Sequence, residues 1–239
     1  MDAQSRIRLL RNSLVETAKA ITELGPLWYW RKARIMALVK KVSGAEALEQ
    51  ALQQRQGVIL AIPHLGTWEM VGLYCSAKYR MTSLYRPPRI SELDTLTRTA
   101  RGRFGAQLVP TDISGIRALY RALAGGELIA ILPDQEPASG NGVFVPFYGI
   151  PAYTMTLLHR LASRTNATIL YTYAERLPLG KGYHLHFMAP QEDIRNCEQD
   201  MALQLMNKNI EMCINKIPEQ YQWSYKRFRK RPEGESDFY

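Results

Sequence analysis

The sequence predicts an α/β domain in which a largely parallel mixed sheet is flanked by helices. Short aliphatic and β-branched runs at 58–62, 81–85, 106–109, 128–132, 168–174 and 183–188 alternate with stretches of helical period at 44–56, 91–103, 113–124, 154–164 and 197–216, the order that builds βαβ units. Gly or Pro marks many of the junctions between them, as strand and helix ends require. With 239 residues, 46% of them hydrophobic and 22% charged, the chain can bury one large core. Residues 1–239 are therefore read as a single domain, with 1–56 as a helical portion packed on the α/β core.

Residues 5–21 set Ile7, Leu10, Leu14, Val15, Ala18 and Ile21 at helical spacing, with Arg6, Arg8, Arg11 and Lys19 among the polar positions. Such a helix either lays its apolar face on the core or attaches to a membrane surface through its basic rim. Gly25-Pro26 reads as a break before Leu27-Trp28-Tyr29-Trp30 and Arg31-Lys32-Ala33-Arg34. That mixture suits a membrane interface and a domain-edge helix equally well. The good helix formers of AEALEQALQQRQ account for 44–56.

The next stretch, GVILAIPHLGTWEMVG at 57–72, reads as a strand delivering His64 to a turn that opens a helix. Five residues along one helix amount to about 500°, so His64 and Glu69 can meet only if His64 precedes the helix and Glu69 lies in its first turns. A histidine base steadied by a carboxylate is the expected result. His64 would take the proton of a substrate hydroxyl while Glu69 fixes the ring and stabilises the imidazolium, a division of labour that needs no protein nucleophile.

Beyond the second strand, Arg86-Pro87-Pro88-Arg89 reads as a turn or extended loop, and Ser91 as the N-cap of a helix carrying Arg98, Arg101 and Arg103. Arg98 and Arg101 share a face and Arg103 does not; they form either a solvated face or an anion site suited to guanidinium forks. Parallel sheets gather ligands beyond their strand C-termini, which is where His64, Arg86 and Asp134 fall. After Pro133-Asp134-Gln135 comes a long irregular section with Phe144, Phe147 and Tyr148, too apolar to be free in solvent. His184 and His186 form an HxH on one strand face, a metal-like spacing, yet the commoner origin is a partly exposed strand; His159 reads as structural. No metal or cofactor is expected.

Thirty-one Lys+Arg against 22 Asp+Glu give a net charge of +9, which points to an anionic partner. Cys75, Cys197 and Cys213 are far apart with no CxxC, so neither a disulfide framework nor a zinc knuckle is indicated, and a reducing cytoplasm fits. The C-terminal Tyr225-Lys226-Arg227-Phe228-Arg229-Lys230-Arg231 resembles a nucleic-acid patch, but no nucleic-acid motif, GxxxxGK[ST] or GxGxxG accompanies it.

His64-Leu65-Gly66-Thr67-Trp68-Glu69 resembles the HX4E motif of the late lipid A biosynthesis (lauroyl/myristoyl) acyltransferases. Asp134-Gln135 with Gly142-Val143-Phe144-Val145-Pro146-Phe147-Tyr148-Gly149 is similar to that family's second signature, and Tyr221-Gln222-Trp223 with Arg227-Phe228 and Arg231-Pro232 to its C-terminal one. The resemblance implies a glycerolipid-acyltransferase-like fold and transfer of a fatty acyl chain to a hydroxyl of a lipid acceptor. The donor it implies is an acyl thioester, on acyl carrier protein or coenzyme A. It also implies His64 as base with Glu69 as its partner, an arginine from Arg98, Arg101 and Arg103 together with Asp134 near the reaction, and Phe144 and Phe147 along the acyl groove. Such members usually begin with a membrane-spanning helix, for which these residues show no equivalent. The implied attachment is peripheral, on an anionic membrane at the cytoplasmic face of the bacterial inner membrane. A lysophospholipid or glycerolipid acyltransferase is the alternative enzyme, and a non-catalytic basic membrane- or nucleic-acid-binding protein the alternative of another class.

Overall fold

The computed structural model describes residues 2–88 and 91–239. Helices α1 (Ala3–Thr22), α2 (Leu24–Tyr29) and α3 (Lys32–Ala37) lead into strand β1 (Val39–Ser43) and helix α4 (Ala45–Gln53). The alternating part follows as β2 (Val58–Ala61), α5 (Trp68–Lys78), β3 (Met81–Tyr85), α6 (Glu92–Gly102), β4 (Gln107–Pro110), α7 (Ile113–Ala124) and β5 (Leu128–Ile131). A hairpin of β6 (Gly142–Phe147) and β7 (Ile150–Met155) precedes α8 (Leu157–Thr165), β8 (Thr168–Arg176), β9 (Tyr183–Met188) and α9 (Gln199–Ile214).

Seven strands form one sheet in the order β1-β9-β8-β2-β5-β3-β4, parallel at every pairing except β8 with β9. The connection at 177–182 is too short for a crossover, so β9 returns antiparallel, whereas the links through α5, α6 and α7 permit parallel neighbours. Strands β2 and β5 are buried along their whole length, as central strands covered on both faces must be. Their alternation divides the core. Val58 and Leu60 join Leu48, Met70 and Leu73 under α4 and α5, while Ile59 and Ala61 join Leu119, Leu158, Met206 and Ile210 under α7, α8 and α9.

The expected sheet and helices are present, with four differences. Gly25-Pro26 does not break the chain but lies in the first turn of α2, where the missing N–H of proline costs nothing. Strand β1 has no clear signal, because it is an edge strand with exposed Lys40 and Lys41. The section after Asp134 contains the β6–β7 hairpin, turned by Tyr148 and Gly149 at φ 49° and 77°, the paired left-handed geometry of a tight two-residue turn. Helix α9 covers it: Asn207 Nδ2 donates to Pro146 O at 2.8 Å, and Tyr148 N to Glu211 Oε1 at 2.5 Å. The extended segment expected at Arg86-Pro87-Pro88-Arg89 is seen only as far as Pro88, since Arg89 lies outside the described residues.

The fourth difference is α1. Its apolar residues do not enter the core: Leu10 and Leu14 are 61% and 63% exposed, with Ile7, Val15 and Ile21 also outward. What docks the helix is its other side. Arg176, at the end of β8, donates to Glu16 Oε2 at 2.6 Å and to both oxygens of Glu23 at 2.5 and 2.9 Å. A guanidinium fork can bridge two carboxylates in this way. In the next stretch Leu27 and Ile35 are fully buried and the Arg34 guanidinium lies 3.3 Å from the centroid of the Trp30 ring, so this part packs as a domain edge. No helix among the described residues is long and apolar enough to cross a membrane.

Candidate active site

The site grows from the register of the two central strands. Ala61 of β2 is paired with Ile131 of β5, and both chains continue with an aliphatic residue, a proline and a polar residue: Ile62-Pro63-His64 and Leu132-Pro133-Asp134. Each proline withholds a ladder N–H at the strand end. The third residue past the pair is thereby delivered to the same place on both strands. There Asp134 Oδ2 accepts from the backbone N–H of His64 at 2.8 Å, and Asp134 Oδ1 lies 2.8 Å from His64 Nδ1.

Asp134 is almost completely buried and His64 is 15% exposed at its side chain. Burial pushes the Asp134 carboxyl up, but the charge and two hydrogen bonds of His64 outweigh it and hold the carboxyl below its ordinary value. The carboxylate can then only accept. Nδ1 of His64 must carry the proton, which leaves Nε2 as the nitrogen able to take one from a substrate.

The partner expected for His64 was Glu69, and here the structure differs. Glu69 sits in the first turn of α5 and is buried. It makes no hydrogen bond to His64 among the described residues; both of its oxygens are gripped by Arg101, with Nε at 2.9 and 3.1 Å and a further close contact from Nη2. The left-handed turn at Gly66 and the start of the helix direct Glu69 toward α6 instead. Burial lowers the Arg101 pKa, and the adjacent Glu69 carboxylate more than restores it. Nη1 makes no hydrogen bond with the described residues, so one edge of a fixed guanidinium is left for a ligand.

Arg98 and Arg101 stand by one ring, with guanidinium carbons 4.9 and 5.7 Å from the centroid of Tyr85. Arg98 also pairs with Asp94 at 3.1 Å. Arg103, expected as a third anion ligand, is committed elsewhere: Nη1 donates to Leu27 O at 3.1 Å and Nη2 to Trp30 O, which satisfies carbonyls at the end of α2. Phe147 is buried among Tyr148, Tyr221 and Phe228, and Phe144 packs on Tyr153 at 5.3 Å. Both belong to the hairpin: Phe147 faces the core, while Phe144 is 37% exposed on the other face of β6.

An apolar cleft opens on the other side of Trp68, walled by Leu73, Tyr85, Leu108, Ala130 and Leu132 with Glu69 and Arg101 at its polar margin. Trp68 joins it to the histidine, their rings lying 5.1 Å apart. Cleft and dyad share the carboxyl ends of the parallel strands, where such sheets place their ligands. The sequence signal for the His64–Asp134 pair was the repeated aliphatic-Pro-polar ending of two buried strands; no local signal marks the cleft.

The C-terminal segment closes the site from behind. Gln222 N donates to His64 O at 3.0 Å, Gly66 N donates to Gln220 O at 2.9 Å, and Leu65 pairs with Tyr221. The basic tail is largely engaged within the fold. Arg227 is buried and donates to Tyr153 O and Thr154 Oγ1, both at 2.8 Å; Arg229 binds Glu136 at 2.9 Å, and Arg231 donates to Pro151 O at 3.1 Å.

An α/β sheet that presents an acid–base pair beside an apolar cleft has the layout of an enzyme for a substrate with a long apolar part. A sequence model described as bacterial lipid A biosynthesis acyltransferase matches residues 1–230. The chain is 29% identical over 235 residues to the lipid A biosynthesis lauroyltransferase of Escherichia coli strain K12, covering 98% of this chain and 76% of that one. It is 29% identical over 238 residues to the palmitoleoyltransferase of the same organism, covering 99% and 76%. A lipid A biosynthesis acyltransferase of Haemophilus influenzae matches at 29% over 236 residues, 98% of this chain and 74% of its own. The chain belongs to the bacterial lipid A biosynthesis acyltransferase family and is an acyltransferase.

Proposed function

We propose that this chain transfers a fatty acyl group from an acyl thioester to a hydroxyl of a lipid A precursor, with His64 as general base. The observation that carries this reading is the His64–Asp134 pair, with Nε2 free to act, next to the apolar cleft. Nε2 takes the proton of the acceptor hydroxyl as its oxygen attacks the thioester carbonyl. Asp134 stabilises the imidazolium, and the departing thiolate takes the proton back as the tetrahedral intermediate collapses. Arg101, held by Glu69, supplies fixed positive charge for the developing oxyanion or an acceptor phosphate. A covalent acyl-enzyme on Cys75 or Cys213 is disfavoured, because burial pushes both thiols up to about 12. Among thioesters, the acidic acyl carrier protein suits a chain of net charge +9 better than coenzyme A alone.

The acyl chain occupies the cleft behind Trp68. Gly72 of α5 lines this cleft, and a Cβ built there meets nothing within 4 Å. Gly72→Leu is therefore expected to shorten the preferred acyl chain while leaving the melting temperature unchanged or raised, since Gly is the poorer helix former by about 1 kcal/mol. Product masses from a mixed acyl-donor pool read this directly; an unchanged chain length would place the acyl group elsewhere.

Attachment is peripheral, at the cytoplasmic face of the inner membrane, through α1. Its outward Leu10 and Leu14 lie among Arg6, Arg8 and Arg11, the composition of an interfacial helix. A Leu10→Asp, Leu14→Asp variant should lose most of its turnover on acceptor presented in anionic vesicles and keep it on detergent-dispersed acceptor.

The overall test offers lipid A precursor and lysophospholipid side by side with acyl carrier protein or coenzyme A thioesters and weighs the products. Acylation of the precursor from the carrier protein is expected. Turnover of lysophospholipid alone would move the chain to glycerolipid acylation, and no turnover of any lipid would remove the reading.

A further inference from the structure

The antiparallel pairing of β8 and β9 sets Glu175 opposite His184 and Tyr173 opposite His186, all on one face. The two imidazole centroids are 3.8 Å apart, Glu175 Oε2 lies 3.0 Å from His186 Nε2 and 3.7 Å from His184 Nδ1, and the three donor atoms fall within 4.8 Å of one another. We propose that Glu175, His184 and His186 form a binding site for a divalent transition-metal ion of the zinc class, completed by water.

The geometry fits that ion. Ligand distances of about 2.0–2.2 Å at tetrahedral angles separate neighbouring donors by about 3.4 Å, and the two observed separations bracket this value. Two imidazoles and one carboxylate are a donor set that zinc accepts. The outer contacts fit as well. With His184 coordinating through Nδ1, its Nε2–H points at Ser43 Oγ, 2.8 Å away on the neighbouring β1, the kind of partner that fixes a ligating ring. His186 is stacked on Tyr173 at 4.5 Å and 14°, which limits its rotation. All three side chains are partly buried rather than free in solvent. Lys41, opposite His184 in the β1–β9 register, opposes a cation.

The site is remote from the dyad in chemistry but not in backbone. Ala174, beside Glu175, accepts from Thr67 N at 2.8 Å, and Arg176 holds α1. An ion here would tie β1, β8 and β9 together at the strand ends against which the His64 loop rests, a bracing role rather than a catalytic one.

The test uses the untagged full chain carrying Cys197→Ser, which removes the one thiol that is not buried, titrated with Co2+ and then Zn2+. One equivalent of Co2+ should give the visible absorption of a four-coordinate ion, Zn2+ should displace it, and Zn2+ should raise the melting temperature. A His184→Gln, His186→Gln double variant should lose the absorption and the thermal shift. Ser43→Ala should weaken binding about 10-fold or more, and Lys41→Gln, which removes no ligand, should tighten it. Absence of the absorption, its persistence in the double variant, or no tightening in Lys41→Gln would overturn the assignment. The last of these does not depend on the ligand variants folding.

Discussion

Asp134→Asn is expected to slow acyl transfer by about 10³–10⁴-fold with the fold retained. The amide has the shape of the carboxylate but not its charge. One of its ends carries N–H groups that cannot face the backbone N–H or the Nδ1–H of His64, both of which now donate to Asp134. The ring is driven toward the tautomer whose proton sits on Nε2, the nitrogen that the proposed reaction requires free, and the imidazolium loses its counter-charge. His64→Ala should be at least as inactive. Glu69→Gln should cost much less, because it loosens Arg101 without touching the base. Turnover of carrier-bound acyl donor decides the matter: an active Asp134→Asn beside an inactive Glu69→Gln would return the role of histidine partner to Glu69. The same variant carries a stability signature. With its folded pKa held below 3.8, Asp134 contributes stability that is full above that pH and lost as the pH falls through the lowered value. Urea midpoints should therefore fall less steeply with acid in Asp134→Asn than in the parent.

Gly66→Ala is expected to be the most damaging single-methyl change in the site loop. Gly66 has φ 59°, and a Cβ there would stand 2.0 Å from Ala174 O, a backbone atom of a central strand. Left-handed geometry alone costs about 1 kcal/mol for alanine. The contact adds a displacement of the loop or of β8, for a total of about 4 kcal/mol or more. At roughly 2–4 °C per kcal/mol for a domain of this size, the melting temperature should drop by about 8–16 °C. Activity should fall further than stability explains, because the same shift breaks the bonds from Thr67 N to Ala174 O and from Gly66 N to Gln220 O. Gly72→Ala, a few residues along and without a clash, is the control for stability.

The parallel sheet is legible because β2 and β5 are short, fully apolar and bounded by glycine and proline, and because α6 and α7 between them carry strong 3.6-residue periodicity. Helix α1 was legible as a helix and illegible as to which way it faces. Its apolar stripe suits either the core or a membrane surface; the stripe is exposed, and the contacts that dock the helix come from Arg176, far along the chain. The histidine of the site was visible from its strand-loop-helix setting. Its partner was assigned to the nearest carboxylate in sequence, whereas β2 and β5 are neighbours in space and bring Asp134 closer than a helix turn brings Glu69. Arg98, Arg101 and Arg103 looked equivalent on the chain. Folding separates them into a partner of Asp94, a partner of Glu69 and a clamp on α2. The apolar section after Asp134 needs cover, and α9 supplies it on the face of the hairpin that buries Phe147, whereas Phe144 is left 37% exposed.

The clasp of the His64 loop by Gln220, Tyr221 and Gln222 also sets a time at which the enzyme becomes competent. Contacts between distant parts of a chain form late in folding, and a nascent chain lacks these until residues 220–222 have left the ribosome. The loop bearing His64 is translated early, yet its geometry waits for the segment that clasps it. Partly synthesised chains would lack that geometry, and cleavage between α9 and Tyr221 would release the clasp from a molecule whose sheet is otherwise intact.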